Sequence, residues 1–121
     1  MQERRQGARY PISYPIRVKW RDDGGILITE EGLTENVGLQ GALVYLPRKL
    51  PTVGSRVELT VTENSDDEVS VSAQVIRLER NAAHPQVALD LLDSIRIWKK
   101  KVWEMAGERI AAEKPEELDD W

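Results

Sequence analysis

The chain of 121 residues contains no cysteine, no phenylalanine and a single histidine, His84. Without cysteine it can form neither a disulfide nor a thiolate metal site, and one histidine offers no partner for another kind of metal centre, so we expect no metal. No apolar run is long enough to span a bilayer, and no signal-peptide pattern is present. We therefore expect a cytoplasmic protein without membrane insertion, made of one domain with one core.

The charge balance also excludes a class of partner. The sequence has 17 basic and 21 acidic residues, a formal net charge of −4. A small barrel that binds single-stranded nucleic acid would need a basic groove with stacking aromatic side chains, and general DNA or RNA binding needs a basic surface. We predict no DNA or RNA partner, and a gel shift in low salt would test this.

Apolar and polar residues alternate along several short segments, which is the period of half-buried strands. The first such segment runs from Tyr14 to Trp20, and residues 26–29 start another after the turn at residues 22–25. The later ones are residues 42–46, 57–62, 69–78 and 86–92. About six strands separated by turn signals predict a small antiparallel barrel or sandwich.

The carboxyl-terminal part has a different pattern. From Ser94 to Glu113 there is no proline and one glycine, Gly107, and Ser94 is a suitable N-cap residue. Apolar residues recur there at helical spacing: Ile95, Trp98, Val102, Met105, Ala106 and Ile110. We predict one helix that lays this stripe over an opening of the barrel. Pro115 and the acidic residues 116–120 predict a frayed tail.

Two short stretches carry the functional information. Arg5 and Arg9 form an RxxxR pair, preceded by Arg4. Such a pair is weak evidence alone, because eleven arginines yield roughly one by chance and Arg17 and Arg21 form another. That second pair falls on the first predicted strand, where residues four apart share a face, so we interpret it as a solvated flank of the barrel.

The second stretch is Asn36-Val37-Gly38-Leu39-Gln40-Gly41. With the RxxxR pair it resembles the signature of the PilZ family, in which an RxxxR pair precedes the first strand and a (D/N)xSxxG motif follows. Gly38 stands at the serine position. Residues 10–18 resemble the family's entry into its first strand, and residues 73–77 and 87–91 resemble its last two strands, so the resemblance covers about residues 3–92.

The resemblance implies a mainly β fold, a small six-stranded antiparallel β-barrel with a C-terminal α-helix. It implies a single domain with three parts: a flexible N-terminal arm over residues 1–12, the barrel over residues 13–92, and the helix with an acidic tail over residues 93–121. Gly7 adds conformational freedom to the arm.

PilZ proteins are mostly bacterial receptors for cyclic di-GMP, so the resemblance implies that ligand and a downstream protein partner. The implied ligand-binding residues are Arg4, Arg5, Arg9, Asn36, Gly38 and Gly41. Arginine forks match phosphates and the O6 and N7 acceptors of guanine, while an asparagine amide can pair with a guanine edge. No catalytic motif or cofactor-binding motif is present, so we predict no enzyme activity and no cofactor.

Gly38 leaves two interpretations open. If a serine contact is lost without replacement, affinity falls roughly ten- to a hundredfold, because a hydrogen bond to a charged group contributes about 1.5–3 kcal/mol. Alternatively, the protein is a PilZ-like scaffold that binds no nucleotide and acts through protein contacts alone. For Asn36, Gly38 and Gly41, a turn selected for its backbone angles is nearly as good an explanation as a ligand site.

Overall fold

The computed structural model describes residues 8–113. Six strands form a closed antiparallel barrel in the order β1-β2-β3-β6-β5-β4. They are β1 (Pro15–Arg21), β2 (Leu27–Gly38), β3 (Gly41–Tyr45), β4 (Arg56–Val61), β5 (Val69–Glu79) and β6 (Gln86–Leu91). The predicted six-stranded barrel is confirmed, and the alternative of a sandwich is not what the chain adopts.

The barrel interior is filled by the apolar half of each alternating strand. In β1, Ile16, Val18 and Trp20 are buried while the residues between them are partly exposed, as their period of two predicts. Valine, leucine and alanine from the other strands fill most of the remaining core, and Tyr14 and Trp98 add aromatic side chains to it. Burying β-branched side chains on a pleated surface stabilises the strands as well as the core.

Strand β2 is longer than the sequence pattern predicted. Its twelve residues pair first with β1 and then with β3, with Leu33 opposite both Pro15 and Tyr45. A register shift between Thr34 and Asn36 bends the strand as it passes from one partner to the other. The second motif is consequently not a separate loop: Asn36 to Gly38 end β2, and Gly41 begins β3.

The carboxyl-terminal helix is a single run with an irregular middle. It comprises α1 (Ile95–Trp98), a π-helical segment (Lys99–Trp103) and α2 (Glu104–Glu113). Trp98, Val102 and Ala106 are buried in the barrel core, as predicted. Two residues of the predicted stripe are exposed instead, Ile95 (36%) and Met105 (47%). Met105 is exposed because the wider π-helical turn shifts the phase of the residues that follow it.

Ser94 stands at the N-cap position as predicted, but it caps the helix through its backbone. Ser94 occupies the N-cap position with a left-handed backbone (φ 58°), and its side chain makes no capping hydrogen bond. Its carbonyl oxygen accepts a hydrogen bond from the Trp98 N–H at 3.0 Å instead. Within residues 8–113, no helix is both long enough and apolar enough to cross a membrane.

Candidate functional site

A cleft of about 460 Å³ opens beside the β2–β3 hairpin. The hairpin contributes Asn36 and residues 38–43, and Arg9 lies at its side. Residues 76–77 of β5 and 88–90 of β6 form the rest of the lining. These distant segments meet because β6 pairs with both β3 and β5, so that closing the barrel also builds the cleft.

Arg9 and Asn36, one from each motif, are in direct contact. The Nε–H of Arg9 donates a hydrogen bond to Oδ1 of Asn36 at 3.0 Å, and the pair is exposed to solvent. This bond uses one of the five guanidinium N–H groups, so the rest of the fork is available to an anion or a purine. The structure thus brings together two side chains separated by 27 positions in the sequence.

Gly38 lies directly beneath the Arg9 side chain. A Cβ atom at position 38 would stand 2.6 Å from Nη1 and 3.2 Å from Cζ of Arg9. The volume that a serine side chain would occupy is therefore filled by the guanidinium group. The group in the way is the end of a flexible side chain, which can move aside.

Gly41 is constrained by backbone instead. A Cβ atom there would stand 2.4 Å from the carbonyl oxygen of Leu89, which belongs to the paired strand β6. Within residues 8–113, left-handed φ values occur at Gly25, Gly54 and Ser94, and not at Gly38 or Gly41. The two motif glycines are explained by close approach of neighbouring atoms, and the interpretation that their backbone angles selected them is wrong.

The segment carrying Arg9 is tied to the hairpin through its backbone. The N–H of Tyr10 donates to the carbonyl oxygen of Val37 at 2.8 Å, and the N–H of Val37 donates back to Tyr10 at 2.9 Å. This two-bond bridge places Arg9 at the cleft. Arg4 and Arg5, the other two arginines implied as ligand contacts, lie outside the described residues.

The carboxyl-terminal helix contacts both motifs. The indole N–H of Trp98 donates to the carbonyl oxygen of Gly38 at 2.8 Å in a buried bond. The indole N–H of Trp103 donates to the carbonyl oxygen of Ala8 at 2.8 Å, and its ring lies 5.5 Å from that of Tyr10. One helix therefore joins the hairpin and the arginine segment.

The cleft contains charged residues that the sequence analysis did not identify, Arg77 and Asp90. Arg77 follows a register shift between Val75 and residue 77, and its Nε–H donates to Oε2 of Glu79 at 2.9 Å. One pattern in the sequence could have pointed to Arg77. Apolar residues alternate along β5 as far as Val75, but the next apolar residue of the series is Leu78 and not residue 77, which indicates a bulge. No pattern in the sequence indicated Asp90, because this residue reaches the cleft only through the pairing of β6 with β3.

The second RxxxR pair has a different environment. Arg17 lies 3.8 Å from carboxylate oxygens of both Glu31 and Glu68, and Arg21 donates to the carbonyl oxygen of Gly25 at 3.0 Å. Neither arginine lines the cleft. Their assignment to a solvated flank of the barrel agrees with these contacts.

Comparison with known proteins places the chain in a family. The model of the PilZ domain matches residues 3–97. Among solved structures, the chain resembles Escherichia coli YcgR in complex with c-di-GMP, with 20% identity and a TM-score of 0.67 over 96% of this chain and 51% of that one. The isolated PilZ domain of YcgR with c-di-GMP matches with 18% identity and a TM-score of 0.64, over 94% of this chain and 98% of that domain.

A third similar structure is the Bacillus subtilis inhibitor of motility (MotI/DgrA), with 15% identity and a TM-score of 0.68 over 92% of this chain and 53% of that protein. The chain thus spans about half the length of the YcgR and MotI chains it matches. No curated protein matches the sequence significantly. At these identities the structural likeness establishes the fold alone, whereas the match over residues 3–97 establishes the family: the chain belongs to the PilZ domain family.

Proposed function

We propose that this protein is a non-catalytic receptor for cyclic di-GMP that passes the signal to a partner protein. The observation that carries the proposal is the contact between Arg9 and Asn36, at 3.0 Å, at the edge of a cleft of about 460 Å³. This volume lies within the range of small-molecule sites, about 300–1,000 Å³. That YcgR and its PilZ domain are described with c-di-GMP bound supports the same ligand class here.

The side chains of the cleft suit the chemistry of this ligand. Cyclic di-GMP offers two phosphates and two guanine bases, and Arg9 and Arg77 can form paired hydrogen bonds with phosphate oxygens or with guanine O6 and N7. Asn36 and Asp90 offer acceptors for the N–H groups on the other edge of guanine. Among the described lining residues, two cations against one carboxylate leave one positive charge in excess, which favours an anionic ligand.

Arg4 and Arg5 are within chain reach of the same cleft. Arg5 precedes Arg9 by four residues, and a chain spans at most about 3.3–3.6 Å per residue, so the two Cα atoms are no more than roughly 14 Å apart. In the proposed complex Arg4 and Arg5 close over the ligand while Arg9 exchanges its bond to Asn36 for a bond to phosphate or guanine.

The carboxyl-terminal helix is the proposed route of the signal. It contacts the arginine segment through Trp103 and the hairpin through Trp98, so a shift of either motif on ligand binding acts directly on it. A partner in the cytoplasm, where we place the protein, would read that change.

Calorimetric titration with cyclic di-GMP tests the receptor function. We expect the wild-type chain to bind, and Arg9→Ala to lose about 2–5 kcal/mol of binding free energy, because truncation removes a charged partner that the ligand has desolvated. Arg21→Ala is the matched control, since it removes an arginine of the other RxxxR pair and should bind like the wild type. Equal affinities of the wild type and Arg9→Ala would refute the proposed contact.

A second candidate is a PilZ scaffold that binds no nucleotide, and the observation that favours it is glycine at the serine position of the motif. In this alternative the Arg9–Asn36 bond is structural, and the cleft is a remnant. Absence of any heat of binding with the intact wild-type chain would favour the scaffold.

A further inference from the structure

A second cleft, of about 490 Å³, lies between the carboxyl-terminal helix and the connection from β4 to β5. No residue between 8 and 113 lines both this cleft and the cleft at the β2–β3 hairpin. Val61, Val69 and Met105 form its apolar surface. Its size also falls in the range of small-molecule sites.

Tyr14 supplies a buried polar group to this cleft. The residue is 3% exposed, and its hydroxyl makes no hydrogen bond to any residue between 8 and 113. Buried hydroxyl groups are nearly always paired, so an unpaired one that lines a cleft points to a partner from outside the protein. Burial raises the pKa of Tyr14 above its ordinary value of 10.0, so the hydroxyl keeps its proton at neutral pH and can donate it in a hydrogen bond.

The charges around the cleft favour an anion. The guanidinium of Arg109 lies 5.5 Å from the centre of the Tyr14 ring and pairs with Glu63 at 2.9 Å. Lys101 pairs with Asp67 at 2.8 Å. Lys100 also lines the cleft and forms no ion pair within the described part of the chain. Among the lining residues that the structure describes, three cations against two carboxylates leave one positive charge in excess.

We propose that this second cleft binds a small organic monoanion with an apolar body. Its anionic oxygen accepts a hydrogen bond from the Tyr14 hydroxyl and lies near Lys100 and Arg109, while its apolar part packs on Val61, Val69 and Met105. A single negative charge matches the excess charge of the cleft, and the apolar surface favours a hydrocarbon chain or ring over a second polar group.

Decanoate is a suitable probe, titrated into the intact protein while amide chemical shifts are recorded. We expect shifts confined to residues of the second cleft. Decyltrimethylammonium has a similar apolar body and the opposite charge, and it should bind at least tenfold more weakly. Tyr14→Phe, which removes an unpaired hydroxyl and leaves the ring in place, should weaken decanoate binding about tenfold, as should Lys100→Met. Lys49→Met removes an exposed lysine outside both clefts and should have no effect.

Glu63→Gln gives a result in the opposite direction. It removes the carboxylate that pairs with Arg109, so decanoate should bind several-fold more tightly, whereas Glu79→Gln, a loss of the same charge elsewhere, should have little effect. The proposal is overturned if decanoate does not bind, if it binds Tyr14→Phe and Lys100→Met as tightly as the wild type, or if the ammonium analogue binds equally well. The outcome is independent of cyclic di-GMP binding, since the two clefts have no described lining residue in common.

Discussion

At the scale of single residues, the side chain of Arg9 occupies the space that a side chain at position 38 would need. The departure from the usual serine is thus accompanied by a specific contact, in which the guanidinium lies over Gly38 while its Nε–H bonds to Asn36. A ligand that takes Arg9 away from Asn36 also uncovers the backbone of Gly38.

Gly38→Ser is informative for this reason. A Cβ atom 2.6 Å from Nη1 of Arg9 displaces the end of a flexible side chain, so we expect the fold to be kept and the resting Arg9–Asn36 bond to be weakened. The added hydroxyl also supplies a hydrogen bond, so calorimetry should show cyclic di-GMP binding roughly tenfold or more tighter than wild type. Unchanged or weaker binding, with the wild type binding measurably, would contradict a ligand position next to residue 38.

Gly41→Ala should act on stability instead. Its Cβ atom would stand 2.4 Å from the Leu89 carbonyl oxygen, a backbone atom in a paired strand that cannot move aside cheaply. We expect a loss of about 1–3 kcal/mol in the free energy of unfolding, measured by urea denaturation. Gly24→Ala is the matched control, because its nearest neighbour is 3.5 Å away and its effect should be within about 0.5 kcal/mol.

At the scale of elements, the strands could be predicted because their apolar residues follow a period of two, as Ile16, Val18 and Trp20 do in β1. What could not be predicted depends on pairings between distant segments. Asp90 enters the cleft through the β3–β6 pairing, and the need for glycine at position 41 arises from the same pairing.

The carboxyl-terminal helix also has a feature that the sequence pattern could not predict. Its existence and its start followed from composition, but the exposure of Met105 depends on a π-helical turn that leaves no periodic signal. For the site, the motifs led to Arg9, Asn36, Gly38 and Gly41, which the structure gathers around one cleft. Their binding role remains a prediction.

Asp93 fastens the start of the helix to β5, and this contact predicts a pH effect. Its Oδ1 accepts a hydrogen bond from the Ser72 N–H at 2.9 Å, and this bond is the main cause that holds the Asp93 pKa below its ordinary value of 3.8. A lowered pKa in the folded state gives stability above about pH 4 that is lost as the pH falls through the folded pKa. Asp93→Asn cannot titrate, so its stability deficit relative to wild type should shrink between pH 7 and pH 3.

Urea denaturation of both proteins at the two pH values measures this change. Asp23→Asn serves as a control, since the Asp23 carboxylate makes no hydrogen bond or ion pair with residues in the range 8–113. Its difference from wild type should be the same at both pH values. A deficit for Asp93→Asn that stayed constant with pH would show that ionisation of Asp93 does not contribute to attaching the helix.

At the scale of the whole molecule, an acidic protein carries two clefts whose lining residues within 8–113 each have one positive charge in excess. The carboxyl-terminal helix is connected to both, since Trp98 bonds to Gly38 at the first cleft and Lys100, Lys101 and Arg109 line the second. Because the helix buries Trp98, Val102 and Ala106 in the barrel core, a ligand at either cleft bears on the stability of the entire fold.

Thermal unfolding of the whole chain should report occupation of the first cleft. A ligand that binds the folded state alone stabilises it by about 2.7 kcal/mol at a hundred times its Kd. For a domain of this size such a gain raises Tm by roughly 10 °C. We expect that rise with cyclic di-GMP for the wild type and for Arg21→Ala, and a much smaller one at the same concentration for Arg9→Ala. GMP, with one base and one phosphate, should give little shift, because it cannot engage the two halves of the cleft together. If cyclic di-GMP left the wild-type Tm unchanged, the scaffold alternative would be favoured and the Arg9–Asn36 contact would be structural.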